Sequence, residues 1–102
     1  MQMQDKPLIH NHQLGKIAFH TVPTRNAVLR LKIAADGSLE TMGRALGGAW
    51  GEATPTVHPN FLAAMRDYLV SREAIGYFYI EESNLKIVNK RFTNLRQPKA
   101  TQ

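Results

Sequence analysis

The chain of 102 residues contains no cysteine, so it has no disulfide framework, no thiolate metal site and no thiol nucleophile. It also lacks a long apolar run. The longest uncharged one, residues 45–51, is mostly Gly and Ala, whereas a membrane-spanning helix needs about 20 apolar residues. The start, residues 1–7, is polar and broken by proline, unlike a signal peptide. These absences predict a cytoplasmic protein without membrane contact, held together by packing.

Acidic side chains are absent from the last twenty residues. The chain carries 13 Lys and Arg against 8 Asp and Glu, a net charge of +5. Residues 1–82 hold eight basic and eight acidic side chains, so the whole excess lies in residues 83–102. A local excess of cations suits a partner that carries negative charge, such as nucleic acid or an acidic protein.

Length and composition predict one folded domain, because 43% of the residues are hydrophobic and a chain of this size builds one core. Residues 1–15 are rich in Gln, His and Asn with few apolar side chains, and we expect a mobile N-terminal arm there. Residues 94–102 are polar and broken by proline, which predicts a flexible basic tail. The folded domain is then expected at residues 16–93.

Alternating apolar side chains predict two strands in the first half of the chain. One covers residues 16–22 and stops at Pro23. The other covers residues 27–34, where every second side chain is a large aliphatic one. The link Pro23–Asn26 has the composition of a turn, so the two strands are expected to form an antiparallel hairpin.

Residues 38–46 fit two structures. Ser38 could cap a short helix that ends at Gly47-Gly48. Alternatively, Asp36-Gly37 is a hairpin turn that leads into a third strand, the interpretation that we favour. A long glycine-rich loop around Trp50 follows in either case.

The second half of the chain predicts a helix and then another hairpin. Helical spacing of apolar residues begins near His58-Pro59 and continues to about Glu73. Residues 77–80 favour a strand, and the alternation in residues 85–92 predicts another strand across a turn. The predicted fold is α+β: a small antiparallel sheet of four to five strands in two hairpins, covered on one face by one main helix.

No recognisable constellation of catalytic, metal-binding or cofactor-binding residues occurs in the sequence. His10 and His12 lack further ligands nearby, and the glycines of residues 43–51 match no phosphate-binding loop. We therefore expect a non-enzymatic protein without metal or cofactor. A small enzyme or ligand-binding domain stays open as an alternative, with His20, His58 and Glu52 as its polar groups.

The last predicted hairpin carries the candidate binding site. Tyr77 and Tyr79 lie on one face of its first strand, and Lys86 and Lys90 lie on one face of its other strand. In the strand predicted at residues 27–34, Arg30 and Lys32 point away from the apolar side. Rings that stack on bases beside cations that meet phosphates are typical of sheet surfaces that bind single-stranded nucleic acid. The predicted nucleic-acid site comprises Arg30, Lys32, Tyr77, Tyr79, Lys86, Lys90 and Arg91.

Two other interpretations of the same features remain. Lysines on an edge strand prevent aggregation, and strand tyrosines often pack under a helix, so the pattern is also that of an ordinary domain surface. A protein-interaction module is the alternative function, with Trp50 as the partner-binding residue presented by its loop. A homodimer is compatible with either function, because small sheets often cover one face by pairing.

Overall fold

The structure, a computed structural model, describes residues 8–11 and 15–96. Within these residues the chain forms an α+β domain, a three-stranded antiparallel sheet with two helices packed against it, preceded by a separate two-stranded sheet. The elements are β1 (Leu8–Asn11), β2 (Gly15–Ala18), β3 (Ala27–Ile33), β4 (Leu39–Gly43), α1 (Pro59–Ser71), β5 (Gly76–Glu81) and α2 (Glu82–Arg96).

The central strand β3 has two chemically different faces. Leu29, Leu31 and Ile33 are at most 1% exposed, whereas the side chains of Arg30 and Lys32 between them reach solvent. The strand lies in the middle of the sheet, in the order β4-β3-β5, and pairs antiparallel with both neighbours. Its apolar face is therefore the floor of the core.

The core fills the space between this floor and the two helices. Phe78 and Ile80 of β5 extend the floor, because they lie opposite Leu31 and Leu29. Each helix contributes apolar side chains spaced three or four residues apart, which places them on one side of the helix. These are Phe61, Met65 and Leu69 of α1 and Leu85, Val88 and Phe92 of α2.

The helix α1 begins where the sequence predicts. Pro59 occupies the first turn, where its missing N–H costs nothing. His58 caps the helix, since its Nδ1 accepts a hydrogen bond from the Asn60 N–H at 3.1 Å. The helix ends at Ser71, close to the predicted end near Glu73. The predicted helix is confirmed.

The sequence allowed either a short helix or a third strand for residues 38–46, and the structure has the strand β4 there. The turn before it is tight: Gly37 has a φ of 87°, a left-handed conformation that favours glycine. The Ser38 N–H donates to Asp36 Oδ1 at 2.9 Å, and this bond lowers the pKa of the Asp36 carboxyl below its ordinary value. The predicted third strand is confirmed, and the short helix is wrong.

The predicted hairpin between the first two strands is wrong. The segment predicted as the first strand contributes β2, but β2 pairs with β1, with Ile17 opposite Ile9. Further on, His20 exchanges backbone hydrogen bonds of 3.0 and 2.8 Å with Tyr79 of β5. Both edges of β3 are occupied by β4 and β5, so no edge is left for β2.

The predicted second hairpin is also wrong, because its final strand is the helix α2. Its buried side chains are Leu85, Val88 and Phe92, at spacings of three and four residues, while Ile87 is 49% exposed. A segment of only eight residues fits the period of a strand and that of a helix about equally well by sequence. The alternation of Leu85 with Ile87 resembles that of a strand.

Two hydrogen bonds hold the start of α2 against distant parts of the chain. The Asn84 side-chain amide donates to the Ala18 carbonyl at 3.0 Å, and the Glu82 N–H donates to the Asn26 carbonyl at 3.1 Å. Two helices therefore cover the apolar face of the sheet, in place of the one predicted.

The structure describes only parts of the predicted arm and tail. Of the arm it describes β1 and the first residue of β2, and residues 1–7 and 12–14 lie outside the described part. The helix α2 extends three residues into the tail predicted at 94–102, and residues 97–102 lie outside. The boundaries of arm, domain (16–93) and tail stay predictions.

The helical assignment of α2 makes two neighbouring side chains respond differently to truncation. Val88 is fully buried and Ile87 is half exposed. We expect Val88→Ala to lower the free energy of unfolding by about 2 kcal/mol, because it deletes buried methyl groups. Ile87→Ala should lower it by less than about 0.5 kcal/mol. Urea denaturation followed by circular dichroism measures both losses. A larger loss for Ile87→Ala than for Val88→Ala would contradict the helix.

Candidate functional site

The face of the sheet opposite the core carries four of the seven predicted nucleic-acid residues. In the pairing of β3 with β5, Arg30 lies opposite Tyr79 and Lys32 lies opposite Tyr77. Directly opposite residues of antiparallel strands project to the same side of the sheet. The structure therefore brings these four side chains onto one surface, which we call the open face.

The four side chains differ in how far they reach solvent. Lys32 is exposed, Tyr77 is 44% exposed and Arg30 is half-buried. Tyr79 is only 8% exposed and belongs to the packed interior of this surface. Tyr77 can thus present a ring to a ligand, whereas Tyr79 supports its neighbours from below.

The other three predicted residues lie on a different surface. Lys86, Lys90 and Arg91 belong to α2, whose buried side packs on the opposite, apolar face of the sheet. Lys86 lies 3.8 Å from Glu82, one helical turn away. The seven residues were predicted to form one site because residues 85–92 were expected to be a strand next to Tyr77. Since these residues form the helix α2, the three cations lie away from the open face.

A cluster of rings and guanidinium groups lies at the centre of the open face. Trp50 packs beside Tyr79, with 5.7 Å between the ring centroids. Arg30 Cζ lies 5.0 Å from the centroid of the Tyr77 ring and 5.9 Å from that of Trp50. The loop tryptophan, predicted separately as a partner-binding residue, is therefore part of the same site as Arg30 and Tyr77.

Arg44 holds Trp50 in place. It is not among the site residues that the sequence predicts. Its guanidinium lies 4.6 Å from the Trp50 ring centroid. Its Nε and Nη2 donate to the carbonyls of Ala27 and Thr24 at 2.7 and 2.9 Å, and its Nη1 donates to Gly48 at 3.4 Å. A lone arginine after a strand gives no signal of this role, because its partners are backbone carbonyls that any residue could supply.

Arg30 has a different environment from Arg44. Its Nη2 donates to Met42 Sδ at 3.3 Å, a weak acceptor. Within residues 8–11 and 15–96 no ion pair of Arg30 with a carboxylate is seen. Aromatic rings fix the plane of its guanidinium while most of its N–H donors stay available. This arrangement suits an oxyanion such as phosphate or carboxylate, which a planar guanidinium binds through two parallel hydrogen bonds.

Carboxylates also border the open face. Glu40 of β4 lies opposite Lys32. At the other end, His20 Nε2 lies 3.2 Å from Glu81 Oε2, and the Thr24 hydroxyl donates to the same oxygen at 3.1 Å. These groups partly offset the positive charge, so the positive potential of the open face is mainly short-range.

The described part of the chain offers no metal site and no membrane-spanning helix. No group of three or more His, Asp and Glu side chains there is placed to hold a metal ion. Neither described helix is long and apolar enough to cross a bilayer. Of the three polar groups considered for a small enzyme, His58 caps α1 and Glu52 Oε1 accepts the Ala49 N–H at 3.3 Å, while His20 pairs with Glu81.

No protein-family model, curated protein sequence or solved structure matches the chain. The class that the structure defines is an α+β domain with a three-stranded antiparallel sheet and two helices on one face. The function of the protein is therefore inferred from the site itself.

The two arginines of the cluster should respond differently to replacement by lysine. We expect Arg44→Lys to lower the free energy of unfolding by about 2 kcal/mol, because an ammonium group cannot bond three carbonyls and stack on Trp50 at once. Arg30→Lys should lower it by less than about 1 kcal/mol, because Arg30 bonds only a weak acceptor in the described fold. Urea denaturation followed by tryptophan fluorescence compares them, and equal losses would contradict the distinction.

Proposed function

We propose that the protein is a non-enzymatic binding protein whose open face holds single-stranded nucleic acid. The observation that supports this most is Arg30, held between the rings of Tyr77 and Trp50 without a carboxylate partner among the described residues. A fixed guanidinium beside accessible rings combines a phosphate contact with base stacking, the two interactions that single strands offer.

The cations of the open face would meet the phosphates. Arg30 and Lys32 lie on the same side of β3, two residues apart, and therefore about 6.6 Å apart along the strand. This distance is close to the spacing of successive phosphates in an extended strand. Neighbouring Glu40 repels phosphate, which favours a backbone that follows β3 on the side nearer to Tyr77.

Two of the aromatic side chains would stack on bases. Tyr77 is 44% exposed and stands at the rim of the cluster. Trp50 is half-buried, and its ring centroid lies 5.9 Å from Arg30 Cζ. Tyr79 is too enclosed to receive a base, so its role in the proposal is to support Trp50.

Binding should depend on the open face and on salt. Labelled single strands of about 12 nucleotides, titrated at about 50 and about 200 mM salt, report affinity and its salt dependence. We expect quenching of Trp50, which is the chain's one tryptophan. Arg30→Gln and Lys32→Gln should each weaken binding about tenfold and reduce the slope of log K against log salt by about 0.7.

Lys90→Gln is the matched control, because it removes one exposed cation from α2 and leaves the open face unchanged. It should leave both affinity and slope nearly unaltered. No binding at low salt would overturn the proposal. Loss of binding in Lys90→Gln with none in Arg30→Gln would move the site to α2, where Lys86 and Arg91 also lie.

The outer edge of β4 favours a second candidate function, assembly into a homodimer by strand pairing. The Arg44 N–H donates to the Val28 carbonyl at 3.1 Å, so the even-numbered residues of β4 bond to β3. The backbone groups of Leu39 and Thr41 then point outward, and Thr41 is exposed. An unpaired strand edge is a template for another strand, and such pairing would join two open faces.

Self-association through β4 predicts that a proline at its centre breaks the dimer. Thr41→Pro removes the outward N–H without touching the bonds to β3, and Thr41→Val keeps it as the control. Sedimentation equilibrium should show a dimer for the unaltered chain and for Thr41→Val, and a monomer for Thr41→Pro. A monomeric unaltered chain would overturn this candidate and leave the nucleic-acid proposal standing.

A further inference from the structure

A cleft lies between residues 44–56 and the first two turns of α2, and its volume is 330 Å³. Its apolar lining comes from two core residues and four loop residues. These are Val28, Leu85, Ala45, Leu46, Ala53 and Pro55. The volume falls at the lower end of the range of small-molecule sites, about 300–1,000 Å³.

The loop side of this cleft is held in place by close packing and by Asn89. The Asn89 Oδ1 accepts the His58 N–H at 2.9 Å, and its Nδ2 donates to the Thr56 carbonyl at 2.6 Å. Where the loop passes β4, a Cβ on Gly43 would clash with Pro55 and approach the Ala53 carbonyl oxygen to 2.7 Å. The cleft is thus formed before any ligand enters, which lowers the entropic cost of binding.

Three charged residues line the cleft, and their formal charges have a positive balance. They are Arg44, Lys86 and Glu82, two cations against one carboxylate. Lys86 and Glu82 are 3.8 Å apart, and their side chains are 75% and 44% exposed. Such an exposed pair is weak and separates readily. The ammonium group of Lys86 can therefore exchange Glu82 for the carboxylate of a ligand.

We infer that the cleft binds a small apolar carboxylic acid, with its hydrocarbon part against the apolar walls and its carboxylate at Lys86. The charge balance favours an anion, and the lining favours a hydrocarbon body. This inference does not rest on nucleic-acid binding by the open face, although Arg44 belongs to both sites. Octanoate is a suitable probe, and octan-1-ol is its uncharged match.

The test is a titration of the isotope-labelled protein with octanoate, followed by amide chemical shifts. Shifts are expected at Ala45, Ala53 and Leu85 and should saturate. In the series from hexanoate to octanoate, affinity should rise about fourfold for each added methylene. Octan-1-ol should bind about fivefold more weakly than octanoate, because it lacks the charge.

Variants assign the two halves of the ligand to their parts of the cleft. Ala53→Leu should abolish binding by filling the cleft, and Ala45→Leu, at an exposed position, serves if the first variant fails to fold. Lys86→Gln should weaken octanoate about fivefold and leave octan-1-ol unchanged. Lys90→Gln, on the same helix but outside the lining, is the control and should match the unaltered protein.

Several results would overturn the inference: no saturable shifts with octanoate, equal affinity for octan-1-ol, or equal weakening by Lys86→Gln and Lys90→Gln. Binding of octanoate by a chain that binds no nucleic acid would support the cleft and reject the open-face proposal. Binding of nucleic acid by a chain that binds no octanoate would support the open-face proposal and reject the cleft. The failure of one proposal is therefore distinguishable from the failure of the other.

Discussion

The alternation of apolar and charged side chains along β3 is the constraint on which the other features depend. Leu29, Leu31 and Ile33 must leave water, and a sheet of three strands can bury them only if something covers that side. Both helices do so, with three buried side chains each. The opposite side, with Arg30 and Lys32, is then the surface left to solvent, and the proposed nucleic-acid site is a direct consequence.

Cation–π contacts organise this surface more than ion pairs do. Arg44 fixes Trp50 above the sheet through three backbone carbonyls, and Trp50 with Tyr77 fixes Arg30. Arg44 also lines the cleft beside α2, so one side chain borders both proposed sites. The two guanidinium groups therefore differ: that of Arg44 holds the loop, and that of Arg30 is the one that the proposal assigns to an anionic ligand.

Secondary structure with a long regular pattern could be predicted from this sequence, and elements with a short or mixed pattern could not. β3 and α1 were predicted correctly, because their periods of 2 and 3.6 extend over enough residues to be unambiguous. The region 85–92 was misassigned, since Leu85 and Ile87 alternate while Leu85, Val88 and Phe92 follow a helix. That error also misplaced Lys86, Lys90 and Arg91, because the face of a side chain follows from the secondary structure.

The sequence by itself determined the absence of thiol chemistry, the location of the excess charge, the two faces of β3 and the start of α1 at His58. These properties depend on composition or on side chains a few residues apart. Only the tertiary structure decided that β2 pairs away from β3, that α2 is a helix on the apolar side, and that Trp50, Arg30 and Tyr77 meet. These features depend on competition among distant segments for the same strand edge or sheet face, and a pattern of neighbouring residues does not predict which segment wins.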